Sequence, residues 1–220
     1  MRVLGVDPGL GRCGWAVLDQ QGGRVAPLGY GTIATGGEQV APRLAALAGR
    51  LREVLAAHRP EVLAIERVFF NANVRTAMTV GQASGVVLLL AAERGLEVVA
   101  YTPPQVKQAV TGSGAAPKEQ VGYMVRALLG LEAVPTPADT ADALAVALCH
   151  LQHAGLAGLG GRAGGALGAA PAADWLARAA PTSPGLRRRG PGNPEGRRGP
   201  GNPNGVPRSA GPQPNPGGRR

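Results

Sequence analysis

After Gly155 the chain stops carrying the side chains from which a core is built. Residues 156–220 hold 16 Gly and 11 Pro in 65 positions, with Trp175 as the single aromatic. So little apolar surface cannot offset the entropy of ordering the segment, which is therefore expected to be a disordered basic tail. Within it, R-R-G-P-G-N-P-E-G (188–196) is followed directly by R-R-G-P-G-N-P-N-G (197–205). A nine-residue repeat this rich in Pro is too short for a solenoid unit. Folding is thereby confined to residues 1–155, a single domain able to bury about two-thirds of the surface its unfolded chain exposes.

Charge divides at the same boundary. The 220 residues carry a formal charge of +9, yet 13 Lys and Arg face 12 Asp and Glu through Gly155. Beyond it, 10 Arg face only Asp174 and Glu195. Such a tail either contacts phosphates without regard to sequence, by displacing counterions, or is a solubilising extension. Any nucleic-acid partner of the body must be argued from the body's own residues. Cys13 and Cys149 are too few for a disulfide framework, and Asp7 interrupts any signal-peptide core. The apolar run G-V-V-L-L-L-A-A falls far short of the roughly 20 residues that span a bilayer. A cytoplasmic protein with no membrane partner is expected.

Hydrophobic periodicity orders the body. Val3, Leu4 and Val6 form a short strand, Trp15–Leu18 a second and Val25–Ile33 a third, with D-P-G-L-G-R turning between the first two. Val40–His58 has helical spacing, Leu44, Leu47, Leu51, Val54 and Leu55 falling on one stripe. Val62–Ile65 is a buried strand, Val74–Arg94 a long helix, Leu96–Ala100 a strand and Lys118–Leu129 a helix. A last helix is expected to begin at Thr136-Pro137-Ala138-Asp139, with Thr as cap and Pro in the first position, and to run to about Gln152. Three antiparallel strands followed by alternating helices and strands give an α/β fold, a ribonuclease-H-like mixed sheet flanked by helices.

Acids are scarce in this body, so their placement is informative. Asp7 and Glu66 each end an apolar strand, where α/β sheets gather ligands. Asp139 and Asp142 share one helix face. Singly, Asp7 is also a turn former before Pro-Gly, Asp139 a helix-start residue and Asp142 a solvated position. Together, four packed carboxylates repel unless one holds a proton or a cation neutralises them. Oxygen ligands suit Mg²⁺ or Mn²⁺, and two such ions can activate water and stabilise the leaving oxygen of a phosphodiester. The Cys149, His150 and His153 group offers no complete tetrahedral zinc set.

The stretches GVDPGLGRCGWAV, AIERVFFNANVRTA, GQASG, QVKQAVTGSGAAPKEQV and DTADALAVALCH resemble the RuvC family of Holliday-junction resolvases, colinearly over 1–153. The resemblance implies a homodimer that nicks two opposed strands of a four-way junction with two Mg²⁺ per site, Mn²⁺ substituting. It implies that Asp7, Glu66, Asp139 and Asp142 are the catalytic, metal-binding cluster, and that Lys107 and Lys118, the only lysines in the chain, are catalytic. It also assigns base stacking to Phe69. Phe70, Asn71, Asn73 and Arg75 follow as candidate DNA contacts, and RuvA and RuvB as partners. Ser84 stands where many relatives carry a basic residue. Two other classes compete: an actin-like ATPase or kinase, sharing the opening strand–turn–strand, and a non-catalytic DNA-binding module. The first needs a second related domain, and the second leaves four carboxylates repelling DNA.

Overall fold

The computed structural model describes residues 1–67, 74–159 and 170–171; among residues 74–76, 156–159 and 170–171 only the backbone is described. Three strands open the chain: β1 (Arg2–Asp7), β2 (Arg12–Gln21) and β3 (Arg24–Ala34). They form an antiparallel meander, Val3 opposite Leu18 and Val17 opposite Gly29. Helix α1 (Val40–His58) then returns the chain so that β4 (Val62–Glu66) lies parallel to β1, Val6 beside Ile65. After α2 (Val74–Glu93), β5 (Glu97–Tyr101) adds parallel to β4. The expected mixed sheet is therefore present, in the order β3-β2-β1-β4-β5, with a two-residue β6 (Ala170–Pro171) antiparallel to β5.

Strand alternation divides the core into two layers. Leu4, Val6, Val17, Leu63 and Ile65 point toward α1 and α2, meeting Leu47, Leu51, Leu55, Val87 and Leu90. Val3, Ala16, Leu18, Val62, Ala64, Val99 and Tyr101 point toward the other side. There they are covered by α3 (Pro103–Thr111), α4 (Lys118–Leu129) and α5 (Ala138–Leu159). By the same alternation Asp7 and Glu66 project from the second face, the one α5 crosses.

Two helix starts depart from expectation for related reasons. Helix α3 was not anticipated, although Thr102-Pro103-Pro104-Gln105 is a full capping box: the Thr102 side chain accepts from the Gln105 N–H and the Gln105 side chain accepts from the Thr102 N–H. The similar Thr136-Pro137-Ala138-Asp139 does not cap in that way. Helix α5 starts at Ala138, the Thr136–Pro137 bond is cis, and the Thr140 N–H donates to the Pro137 carbonyl at 2.9 Å. Helix α5 also runs to Leu159, past the expected end at Gln152 and past the compositional break. Apart from α5 and β6, the Gly/Pro/Arg-rich segment lies outside the described residues. No helix among the described residues is long and apolar enough to cross a membrane.

Candidate active site

Parallel pairing of β1 with β4 places Asp7 next to Glu66 at the carboxyl ends of neighbouring strands. Over them lies the first turn of α5, and two strand glycines set how closely it approaches. A Cβ on Gly14, directly across the ladder from Asp7, would overlap the Asp139 carbonyl oxygen and come within 2.6 Å of its carbon. A Cβ on Gly5 would strike the Ala143 carbonyl oxygen and lie 2.8 Å from the Ala147 Cβ. The α5 backbone therefore rests directly on the sheet. The hydroxyls of Thr32 on β3 and Thr140 on α5, 2.9 Å apart, tie the same turn sideways. Neither glycine nor this pair was singled out from sequence. The signal, Gly inside an apolar strand, is that of a close backbone approach.

The seating of α5 brings the four expected carboxylates into one electrostatic unit. Burial, and then the charges of Glu66, Asp142 and Asp139, push Asp7 from its ordinary 3.8 up to about 7. Glu66 is raised too, by burial first and Asp142 second, with Lys118 and Lys107 opposing. Both lysines thus reach the cluster, Lys107 from α3 and Lys118 from the start of α4. Lys118 Nζ donates to Asp142 Oδ2 at 2.6 Å, and this hydrogen bond holds its ammonium above its usual range.

As the side chains stand, no three of His, Cys, Asp and Glu among the described residues form a set that could hold a metal ion. Within the cluster, Asp142 is engaged by the Lys118 ammonium. The chemistry of the donors nonetheless fits a hard divalent cation: every candidate ligand is a carboxylate oxygen, and burial together with the other three acids raises Asp7 to about 7.

The remaining expected residues fall elsewhere. Phe69, Phe70, Asn71 and Asn73 lie outside the described residues. Arg75 belongs to the first turn of α2, its side chain likewise outside them. Ser84 faces inward and donates to the Val80 carbonyl of its own helix at 2.9 Å, which occupies its hydroxyl in the helix rather than at a surface. Cys149, His150 and His153 pack around Tyr101: its hydroxyl and His150 Nδ1 are 2.9 Å apart, and the His153 ring is 5.2 Å away. They make a packed polar group in the second core layer.

The family model described as crossover junction endodeoxyribonuclease RuvC matches residues 3–150. The chain belongs to the RuvC family. It is 53% identical over 154 residues to the RuvC of Pelotomaculum thermopropionicum, covering 70% of this chain and 94% of that one. Against the RuvC of Frankia alni it is 50% identical over 189 residues, covering 85% and 92%. Among solved structures, the Thermus thermophilus RuvC in complex with a Holliday junction substrate superposes with a TM-score of 0.68 at 42% identity, over 71% of this chain and 96% of that one. A second structure of the Thermus thermophilus RuvC gives 0.66 at 41% identity, over 71% of this chain and 97% of that one. The family-model match, over residues 3–150, spans the whole acid cluster from Asp7 to Asp142.

Proposed function

We propose that this chain resolves Holliday junctions by hydrolysing one phosphodiester in each of two opposed strands, leaving 5′-phosphate and 3′-hydroxyl ends. The observation that carries the chemistry is the carboxylate cluster on a family-matched fold, electrostatically short of a cation. Asp7, Glu66, Asp139 and Asp142 would hold two Mg²⁺, or Mn²⁺ in their place. Bound there, the ions supply an acidified water and charge neutralisation at the leaving oxygen. Asp7 and Glu66 contribute rigidity, being anchored on adjacent strands. Lys107 and Lys118 would supply positive charge where the phosphate loads the site with negative charge, Lys118 standing beside Asp142 at 2.6 Å. In a synthetic four-way junction with Mg²⁺, the chain is expected to make paired symmetric nicks, and Asp7→Asn to bind without nicking. Nicking by both proteins, or by neither, would sink this reading.

Two opposed cuts call for two sites, and we place the dimer contact on α2. Its inward face carries Ala83, Val87, Leu90 and Ala91, whereas Met78 and Leu89 are 60% and 57% exposed on the opposite side. Eleven residues separate them, three helical turns, with Gly81 and Gly85 between on the same exposed stripe. A second copy of this helix would cover the stripe with a self-complementary, two-fold contact. Leu89→Asp is expected to sediment as a monomer and to lose paired cutting. A Leu89→Asp chain that remains dimeric in analytical ultracentrifugation places the contact elsewhere.

A further inference from the structure

Arg67 follows Glu66, and nothing above gives it a task. Its backbone N–H donates to the Tyr101 carbonyl at 2.6 Å, so the β4–β5 ladder continues one residue beyond the strand. Alternation then turns the Arg67 side chain to the face of Ile65, away from Glu66. Its Nε is buried and has no hydrogen-bond partner, the one such side-chain atom among the described residues. Nor does its guanidinium pair with an acid among the described residues. A donor buried without an acceptor costs free energy, and because the residue as a whole is only half-buried, the outer nitrogens of the fork are left for an acceptor from outside. Arg12 and Arg43 stand at the same end of the sheet without ion pairs among the described residues. Arg12 is exposed at the start of β2, and Arg43 is fixed by its Nε donating to Thr35 Oγ1 at 3.3 Å.

We propose that Arg67 binds a DNA phosphate at the carboxyl end of β4, gripping the strand beside the bond to be cut. The inference rests on the junction-cleaving reading for its substrate class. Guanidinium suits the role because its fixed fork matches phosphate oxygens, where a lysine would offer only a point charge. Because Arg67 and Glu66 are consecutive but face opposite ways, one backbone position would set both the reacting phosphate and a flanking one.

The test uses full-length wild type, Arg67→Gln and Arg67→Lys with a fluorescent four-way junction and a linear duplex, in EDTA so that nothing is cut. Arg67→Gln is expected to weaken junction binding about tenfold. The slope of log K against log salt should fall by about one on both DNAs. Arg67→Lys should keep the wild-type slope while binding several-fold more weakly than Arg. With Mg²⁺, Arg67→Gln should need about tenfold more protein than wild type for half-maximal cleavage, in step with its weaker binding. An unchanged slope in Arg67→Gln overturns the proposal, as does a lowered melting temperature with unchanged slope, which would make Arg67 a structural residue. Where the glutamine chain fails to fold, wild-type affinity in Arg67→Lys overturns it instead. If wild type fails to nick junctions while Arg67→Gln still lowers the slope on duplex, the resolvase reading falls and the phosphate contact stands.

Discussion

Gly14→Ala is expected to abolish most junction cleavage while leaving junction binding within a few-fold of wild type. The added methyl cannot be accommodated by a side chain moving aside, because its collision is with the backbone of Asp139. Either β2 sinks or the first turn of α5 lifts, and β2 is held on both sides by β1 and β3. Helix α5 is therefore the element that yields, and it carries Asp139 and Asp142. A displacement of about 1 Å at a catalytic constellation costs on the order of 100-fold in rate. Overpacking of this kind also costs about 1–3 kcal/mol of stability. The control is Gly31→Ala on β3, whose added Cβ would rest 3.5 Å from the Trp15 ring nitrogen, an ordinary contact, and which is expected to cleave normally. The measurement is single-turnover cleavage alongside junction affinity and thermal melting. A fully active Gly14→Ala chain would show that the carboxylates are not set by the seating of α5.

This prediction marks where the sequence stops being legible. Asp7 and Glu66 could be found because each ends a compact apolar run, and a run plus its terminal acid is a local signal. Their adjacency was not a local signal: β2, β3 and α1 lie between β1 and β4 in the chain, and only the folded strand order sets the two side by side. The spans of α1 and α4 were readable to the residue because their stripes are long and regular. The distance between α5 and the sheet was not, since Gly14 and Asp139 are far apart in the chain and a glycine inside a strand locally signals only weakness. Caps were legible in kind but not in place. The same Thr-Pro pattern closes a capping box at Thr102 and fails to at Thr136, and only packing around each turn distinguishes them. The pairing of Lys118 with Asp142 was equally hidden, because two helices must first be docked before a lysine at the start of one meets a carboxylate of the other.

Metal-free protein is expected to lose stability as pH rises from about 4 to about 7, and Asp7→Asn to remove most of that loss. The folded chain holds a proton on Asp7 up to about 7, whereas the unfolded chain gives it up near 3.8. Between those values the folded state binds more protons, so the stability from neutral Asp7 is complete below the lower value and gone above the upper one. At about 1.4 kcal/mol for each pKa unit the full swing is on the order of 4 kcal/mol, and Lys118, which pulls Asp7 the other way, is already counted in that value. Asparagine fills the site without the charge, so above neutral pH the metal-free Asp7→Asn chain should melt higher than wild type. Divalent cation reverses the order: at pH 8, Mg²⁺ should raise the melting temperature of wild type and leave Asp7→Asn nearly unmoved. Proton and metal then compete for one carboxylate. Below about 7 the Mg²⁺ concentration for half-maximal cleavage should climb about tenfold for each pH unit. Calorimetric melting across pH, with and without Mg²⁺, reads the first two effects and cleavage titrations read the third. A wild-type melting temperature indifferent to both pH and Mg²⁺ would mean that the carboxylates are not short of a cation, and the chemistry assigned to them would have to be placed elsewhere.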